Sequence, residues 1–185
     1  MSTFQVPTRE QVSEGNQKIF DNLKSSLGFV PNLYAAMGKS EHALGNFLAF
    51  SGAETSFSKK EKEVIDLAVS QVNGCSYCQA AHTAIAKMNG FTDEQALELR
   101  KGQASWDSKY DALAKLAQSI SQTRGEVDAA TLNAFYGAGY SEENLVDLVT
   151  AVGAITITNL FHNICLLYTS PSPRDATLSR MPSSA

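Results

Sequence analysis

The chain has 185 residues, of which 43% are hydrophobic and 18% charged, and its formal net charge is −4. This balance is typical of a soluble globular protein that is long enough to bury a substantial core. Because the basic residues form no cluster, we expect neither nucleic acid nor an anionic membrane as a partner.

A secretory signal has an apolar stretch that follows basic residues. The N-terminal segment, MSTFQVPTREQVSEGNQ, has no such stretch. We therefore expect a cytoplasmic protein. Structural disulfides are rare in that compartment. Two cysteines close together in sequence then indicate a catalytic or metal-binding role rather than a structural crosslink.

Helix signals recur along the chain, and strand signals do not. Thr8 with Gln11, and Thr92 with Gln95, have the spacing of a capping box. Three further residues precede runs of helical periodicity: Ser58, Asp128 and Ser141. The sequence predicts an all-α fold with helices at residues 14–26, 32–38, 41–54, 59–73, 76–89, 93–101, 107–123, 128–138 and 142–166.

Two of these predicted helices, at 59–73 and 76–89, meet at a tight turn formed by Asn73 and Gly74. The second helix is predicted to begin at or just before Cys75. Cys75, Cys78 and His82 then occupy positions i, i+3 and i+7, which lie on one face of a helix. We expect the three side chains to share one pocket.

The last predicted helix lies within LVDLVTAVGAITITNLFHNICLL, a stretch long enough to span a bilayer. It carries polar side chains that are costly in hydrocarbon, among them Asp147, Asn159 and His162. The sequence therefore predicts a buried core helix and no membrane partner.

The C-terminal segment is rich in Ser, Pro and Arg and lacks apolar periodicity. Such a segment buries too little apolar surface to offset the entropy lost on ordering. We interpret residues 165–185 as a non-native or disordered tail and expect the functional domain to span residues 1–164.

The two cysteines admit several kinds of site. Haem attachment requires a histidine directly after the second cysteine, where this chain has Gln79, and a thioredoxin-type site requires a βαβ setting that is absent here. A zinc site stays open, with Cys75, Cys78 and His82 as ligands and Glu63 as a fourth.

A dithiol redox centre is the other open interpretation, and the one we favour. A thiolate at a helix N-terminus is stabilised by the helix dipole, and a nearby histidine can hold or relay its proton. Attack on a peroxide gives a sulfenic acid, which condenses with a second thiol to a disulfide. No glycine-rich nucleotide- or flavin-binding loop is present, so we expect no cofactor.

Glu63, Cys75, Cys78 and His82 follow the pattern E-x11-C-x2-C-x3-H, which resembles the signature of AhpD-like alkylhydroperoxidases in the carboxymuconolactone decarboxylase superfamily. The segments GFVPNLYAAM, VSQVNGCSYCQAAHTAIAKMNGFTDEQ and ITITNLFHN also resemble peroxidase-related members. The resemblance covers roughly residues 5–164. It implies the AhpD-like all-helical fold, with the CxxC at the start of a helix.

The resemblance also implies roles. Cys78 would attack the peroxide, Cys75 would resolve the sulfenic acid, and Glu63 and His82 would form a proton relay. The implied partners are a hydroperoxide substrate, a thiol or dithiol reductant of unidentified kind, and further copies of the chain in a homo-oligomer.

Some members carry another histidine within the CxxC, where this chain has Tyr77. The alternative is a non-catalytic helical oligomer that binds zinc or senses redox state through CxxCxxxH.

Overall fold

A computed structural model describes residues 4–165 and residue 167. Within these residues the secondary structure is helical, without a strand, so the predicted all-α class is confirmed. The helices are a 3₁₀ helix, Arg9–Gln11, followed by α1 Glu14–Leu27, α2 Asn32–Met37, α3 Ala43–Ser51, α4 Lys59–Val72, α5 Ser76–Met88, α6 Asp93–Arg100, α7 Ser108–Thr123, α8 Ala129–Gly137 and α9 Glu142–Cys165.

Local capping sets most of the helix starts. The predicted capping boxes at Thr8 and Thr92 are confirmed, although Thr8 caps the 3₁₀ helix, which was not predicted. Ser58 begins α4 with a capping box of the same kind. Its hydroxyl accepts a hydrogen bond from the backbone N–H of Glu61, and the Glu61 carboxylate accepts one from the backbone N–H of Ser58. Asp128 caps α8 through the N–H of Thr131.

The chain forms two compact units. One unit contains residues 4–54 together with 161–165 and 167. Its core is built around Phe20, Leu44 and Phe47. Within it the buried amide of Asn16 donates to the carbonyls of Gly38 and Ser40, at 2.9 and 2.8 Å. These bonds hold α1 against the end of α2 and satisfy a polar group that would be costly to bury alone.

The second unit contains residues 55–160 and is organised around α4. This helix contacts α5, α6 and α7, and Ile65 and Leu67 on it are fully buried. Across the core they join Leu113 and Leu116 of α7 and Leu148 of α9. Because α4 is enclosed on several sides, its polar residues must find partners among its neighbours.

Helix α9 is buried on one face only, which corrects the prediction of a buried core helix. Leu148 and Asn159 are fully buried, whereas Val146, Val149 and Leu160 are 67%, 55% and 51% exposed. By length and composition the helix meets the criterion for crossing a membrane, but core helices of soluble proteins meet it too. The prediction that the protein has no membrane partner stays a prediction.

The predicted domain limits also stay a prediction. Cys165, the first residue of the predicted tail, is the last residue of α9. The rest of that tail, apart from Leu167, lies outside the described residues.

Candidate functional site

The first part of the site joins α4 to α5 through a histidine and two carboxylates. The Nδ1 atom of His82 on α5 lies 3.0 Å from Oε2 of Glu63 and 3.4 Å from Oδ2 of Asp66, both on α4. Glu63 and Asp66 are three residues apart, so they present their carboxylates from the same face of α4. The side chains of Glu63, His82 and Asp66 are 8%, 20% and 22% exposed.

The second part is the cysteine pair at the start of α5. Helix α4 ends at Val72, and Gly74 adopts a left-handed conformation with φ of 64°, which turns the chain into α5. Cys75 is the N-cap of α5, and its Sγ accepts from the N–H of Cys78 at 3.2 Å. The two cysteines form a disulfide, with their Cα atoms 5.3 Å apart.

A buried amide network holds the turn before the cysteines. Asn159 of α9 is fully buried, donates to the hydroxyl of Ser70 at 3.0 Å and accepts from the amide of Asn73 at 2.9 Å. The backbone carbonyl of Ser70 in turn accepts from the N–H of Cys75 at 3.1 Å. The end of α4 and the start of α5 are thereby fixed to α9, which sets the position of the CxxC segment.

A buried arginine holds the other side of α5. Arg100 of α6 is 5% exposed, and its guanidinium donates to the hydroxyl of Thr83 and to the backbone carbonyl of Gln79. Gln79 and Thr83 follow Cys78 and His82 directly in sequence. Because the guanidinium bonds two successive turns of α5, it restrains the part of the helix that carries the reactive side chains.

The pKa values of His82 and Asp66 are shifted from their ordinary values. Burial by itself lowers the pKa of His82, but the attraction of the Asp66 and Glu63 carboxylates outweighs it and raises that pKa to about 9. Burial raises the pKa of Asp66 to about 6, against the attraction of His82. At neutral pH the histidine is therefore an imidazolium beside carboxylates, a charge state suited to proton transfer.

The segment that contains this site is similar to a known protein family. The family model "Carboxymuconolactone decarboxylase family" matches residues 39–107, a range that contains Glu63, Cys75, Cys78 and His82. A peroxidase-related protein from Ralstonia eutropha JMP134, described as an alkylhydroperoxidase AhpD core, has the same fold, with a TM-score of 0.80. The two share 20% sequence identity over 92% of this chain and 95% of that one. Residues 39–107 therefore resemble the carboxymuconolactone decarboxylase family, and the chain has the fold of the AhpD-core protein.

Two other proteins are similar to this chain. Protein YdfG of Bacillus subtilis (strain 168), itself uncharacterized, is 27% identical over 108 residues, which are 57% of this chain and 74% of YdfG. The debrominase Bmp8 has the same fold with a TM-score of 0.78 and 20% identity, over 95% of this chain and 96% of Bmp8.

The AhpD-like signature residues form two contacting pairs. The structure joins Cys75 to Cys78 and hydrogen-bonds Glu63 to His82. Cys78 and His82 lie one turn apart on α5, as their spacing predicts. Tyr77, between the cysteines, is half-buried.

Sequence reasoning missed Asp66, although a signal was present. Asp66 follows Glu63 by three residues, and that spacing places both on one face of a helix. Their shared contact with His82 depends on how α4 approaches α5, and spacing along one helix does not give that approach.

Glu61 lies on the same helix as Glu63 and Asp66 but makes different contacts. It is 8% exposed and accepts a hydrogen bond from the hydroxyl of Tyr140 at 3.0 Å, in addition to its capping role at Ser58. The amine of Lys109 lies 3.4 Å from its carboxylate. Glu61 is thus part of the framework that joins α4 to the residues before α9.

The structure brings together a group of possible metal ligands that is not the CxxCxxxH set considered as a zinc site from the sequence. Ligand atoms of Glu63, Asp66 and His82 lie within 4.8 Å of one another. In this oxidised state Cys75 and Cys78 are bonded to each other, and a zinc ligand must be a free thiolate. A CxxCxxxH zinc site therefore requires the reduced protein.

Proposed function

We propose that the protein is a thiol-dependent peroxidase, an alkylhydroperoxidase-type oxidoreductase that cycles Cys75 and Cys78 between dithiol and disulfide. The Cys78 thiolate attacks a hydroperoxide, which releases an alcohol and leaves a sulfenic acid on Cys78. The Cys75 thiol displaces water from that sulfenic acid and forms the disulfide. A thiol or dithiol reductant then restores both thiols and is itself oxidised to a disulfide.

The observation that carries this proposal is the pairing of a closed CxxC disulfide with a histidine–carboxylate pair on the same two helices. The cysteines close a disulfide across the first turn of α5, so the proposed cycle needs no large rearrangement of that helix. The Glu63–His82 hydrogen bond supplies a proton relay one turn away. The match of residues 39–107 to the family model supports the same chemistry, and the cycle suits a reducing, cytoplasmic setting.

Two other functions remain as outcomes of the test. Debromination is the activity named for Bmp8, which shares the fold and which, in a variant with one cysteine replaced by alanine, binds 2,3,4-tribromopyrrole. Zinc binding or redox sensing without turnover is the alternative that the CxxCxxxH pattern itself offers, and it uses the same cysteines as the peroxidase cycle.

A combined assay tests the proposed function. We expect protein purified without chelator to contain no stoichiometric zinc. Hydrogen peroxide should consume two thiols per chain, and dithiothreitol should restore them. With excess dithiol reductant, peroxide should be consumed over many turnovers. Stoichiometric zinc with thiols that resist peroxide contradicts the proposal, and debromination of 2,3,4-tribromopyrrole without peroxide turnover assigns the site to the other chemistry.

We also propose that the protein is a homo-oligomer. Val146, Val149, Ile157 and Leu160 form an exposed apolar stripe on one face of α9, and such stripes commonly lie at subunit interfaces. We expect the wild-type protein to sediment as an oligomer at micromolar concentration and Val149→Lys to sediment as a smaller species. Leu27→Lys, at another half-exposed position, is the matched control. A monomeric wild type contradicts this proposal.

A further inference from the structure

Asp66 is a partly buried acid that neither the family signature nor the proposed cycle uses. Its carboxylate lies 3.4 Å from Nδ1 of His82, the same nitrogen that Glu63 approaches to 3.0 Å. A histidine nitrogen carries a single hydrogen, so one carboxylate is enough to satisfy Nδ1. The second carboxylate adds negative charge at a nitrogen whose hydrogen-bonding capacity is already filled.

The opposite nitrogen of His82 is placed differently. The hydrogen bond of the ring to Glu63 and its ion pairs with Glu63 and Asp66 are all made by Nδ1, which leaves Nε2 outside these contacts. The side chain nevertheless keeps 20% of its surface exposed. When the ring carries both protons, Nδ1–H is held by carboxylates and Nε2–H is available to a reacting molecule.

We propose that Asp66 is a positioning residue that, together with Glu63, keeps His82 as an imidazolium whose Nε2–H serves as the proton donor of the peroxidase step. This inference rests on the proposed function for its chemical step. The pairing of Asp66 with His82 can, however, be measured without any turnover.

The chemical step balances with this proton. As the Cys78 thiolate attacks the terminal oxygen of the hydroperoxide, an S–O bond forms and the O–O bond breaks. The departing alkoxide takes the Nε2 proton of His82, so the products are a sulfenic acid, an alcohol and a neutral imidazole. When the disulfide is later reduced, the proton released as Cys78 returns to a thiolate goes back to His82.

The electrostatics agree with this geometry. The charge of Asp66, together with the hydrogen bond and the charge of Glu63, favours the charged form of His82 and outweighs its burial, so that the pKa of His82 is about 9. The pKa of Asp66 is about 6, so Asp66 becomes protonated below that pH and its attraction for the imidazolium is lost. His82 is therefore expected to carry the donor proton below about pH 9, and the Asp66 charge supports that state above about pH 6.

The other charged groups of the surrounding helices do not substitute for Asp66. Lys62 on α4 favours the charged form of Asp66 and so supports the pairing. Other charged side chains on α4, α5, α6 and α7 are engaged with partners of their own: Glu61 with Ser58 and Tyr140, Lys87 with Asp93, Arg100 with Thr83, and Lys109 with Glu61.

Titration of His82 by imidazole NMR tests the proposal on the full-length protein in its oxidised state. The signal is assigned by its disappearance in His82→Gln. In Asp66→Asn we expect the pKa of His82 to fall by about one to two pH units, because a neighbouring carboxylate accounts for a shift of that size. Asp93→Asn, which removes an exposed acid on α6, should leave the titration unchanged.

Peroxide turnover provides the second readout. The basic limb of the kcat–pH profile should move down with the pKa of His82 in Asp66→Asn and recover in Asp66→Glu. If Asp66→Asn fails to fold, Asp66→Ser replaces it. An unchanged His82 titration overturns the inference even if the peroxidase is active. A shifted titration in a protein without peroxidase activity keeps the pairing and refutes the proposed function instead.

Discussion

Cys78→Ser is expected to reduce peroxide consumption to the background rate. Cys78 would supply the thiolate that attacks the peroxide, and a serine hydroxyl at that position is far less ionised at neutral pH. The fold should be preserved, because oxygen replaces sulfur with little change in volume at a buried position. Peroxide loss with excess dithiol reductant measures the effect, and circular dichroism checks that the variant is folded.

Cys75→Ser separates the two roles. Without a resolving thiol, the sulfenic acid on Cys78 should persist after one equivalent of peroxide and react with a dimedone-type probe. Mass spectrometry then locates the label. A label on Cys75 in the Cys78→Ser variant would show that the two roles are reversed.

Cys165 provides the control for both variants. It is the third cysteine of the chain, is free and half-buried, and lies at the end of α9. Cys165→Ser should retain peroxide turnover and the loss of two thiols per chain on oxidation. The assay variants are best built in this background, so that every thiol measured belongs to the CxxC pair.

Glu63→Gln is expected to lower peroxidase turnover by about ten- to a thousand-fold, near the usual range for losing acid–base assistance. The substitution keeps the shape of the side chain and an oxygen that can accept from Nδ1 of His82. It removes the carboxylate charge that favours the protonated form of His82, so the relay is less able to hold the proton that it must donate. Steady-state kcat under saturating reductant measures the effect.

The control for Glu63→Gln must be a glutamate without framework contacts. Glu61 is unsuitable, because it caps α4 and binds Tyr140, so its substitution changes stability as well as charge. Glu54 is exposed in the segment before α4, and Glu54→Gln should leave turnover unchanged. Equally small effects of Glu63→Gln and Glu54→Gln would remove Glu63 from the relay.

Local signals account for how well the sequence predicted the helices. Ser58, Thr92 and Asp128 cap their helices through hydrogen bonds that reach only three residues, so short-range pattern is enough to place them. The same holds for Cys75 and Cys78, because their spacing alone brings them together across one helical turn.

The partners of the acidic residues on α4 were decided by tertiary structure. Glu61, Glu63 and Asp66 are similar charges in sequence, yet one contacts Tyr140 and the other two share His82. Those contacts depend on the rotation of α4 and the approach of α5, and long-range packing sets both.

Helix α9 also shows the difference between what local sequence and what tertiary packing determine. Its apolar composition determined that it forms a long helix, whereas only the packing of Leu148 and Asn159 selected which face is buried. Hydrophobic burial is non-directional, so an apolar sequence on both faces does not specify the orientation of a helix.

The sequence by itself therefore determined the helices and the cysteine pair of this protein. Only the tertiary structure decided which carboxylates surround His82 and which face of α9 stays exposed, because both depend on contacts between residues far apart in the chain.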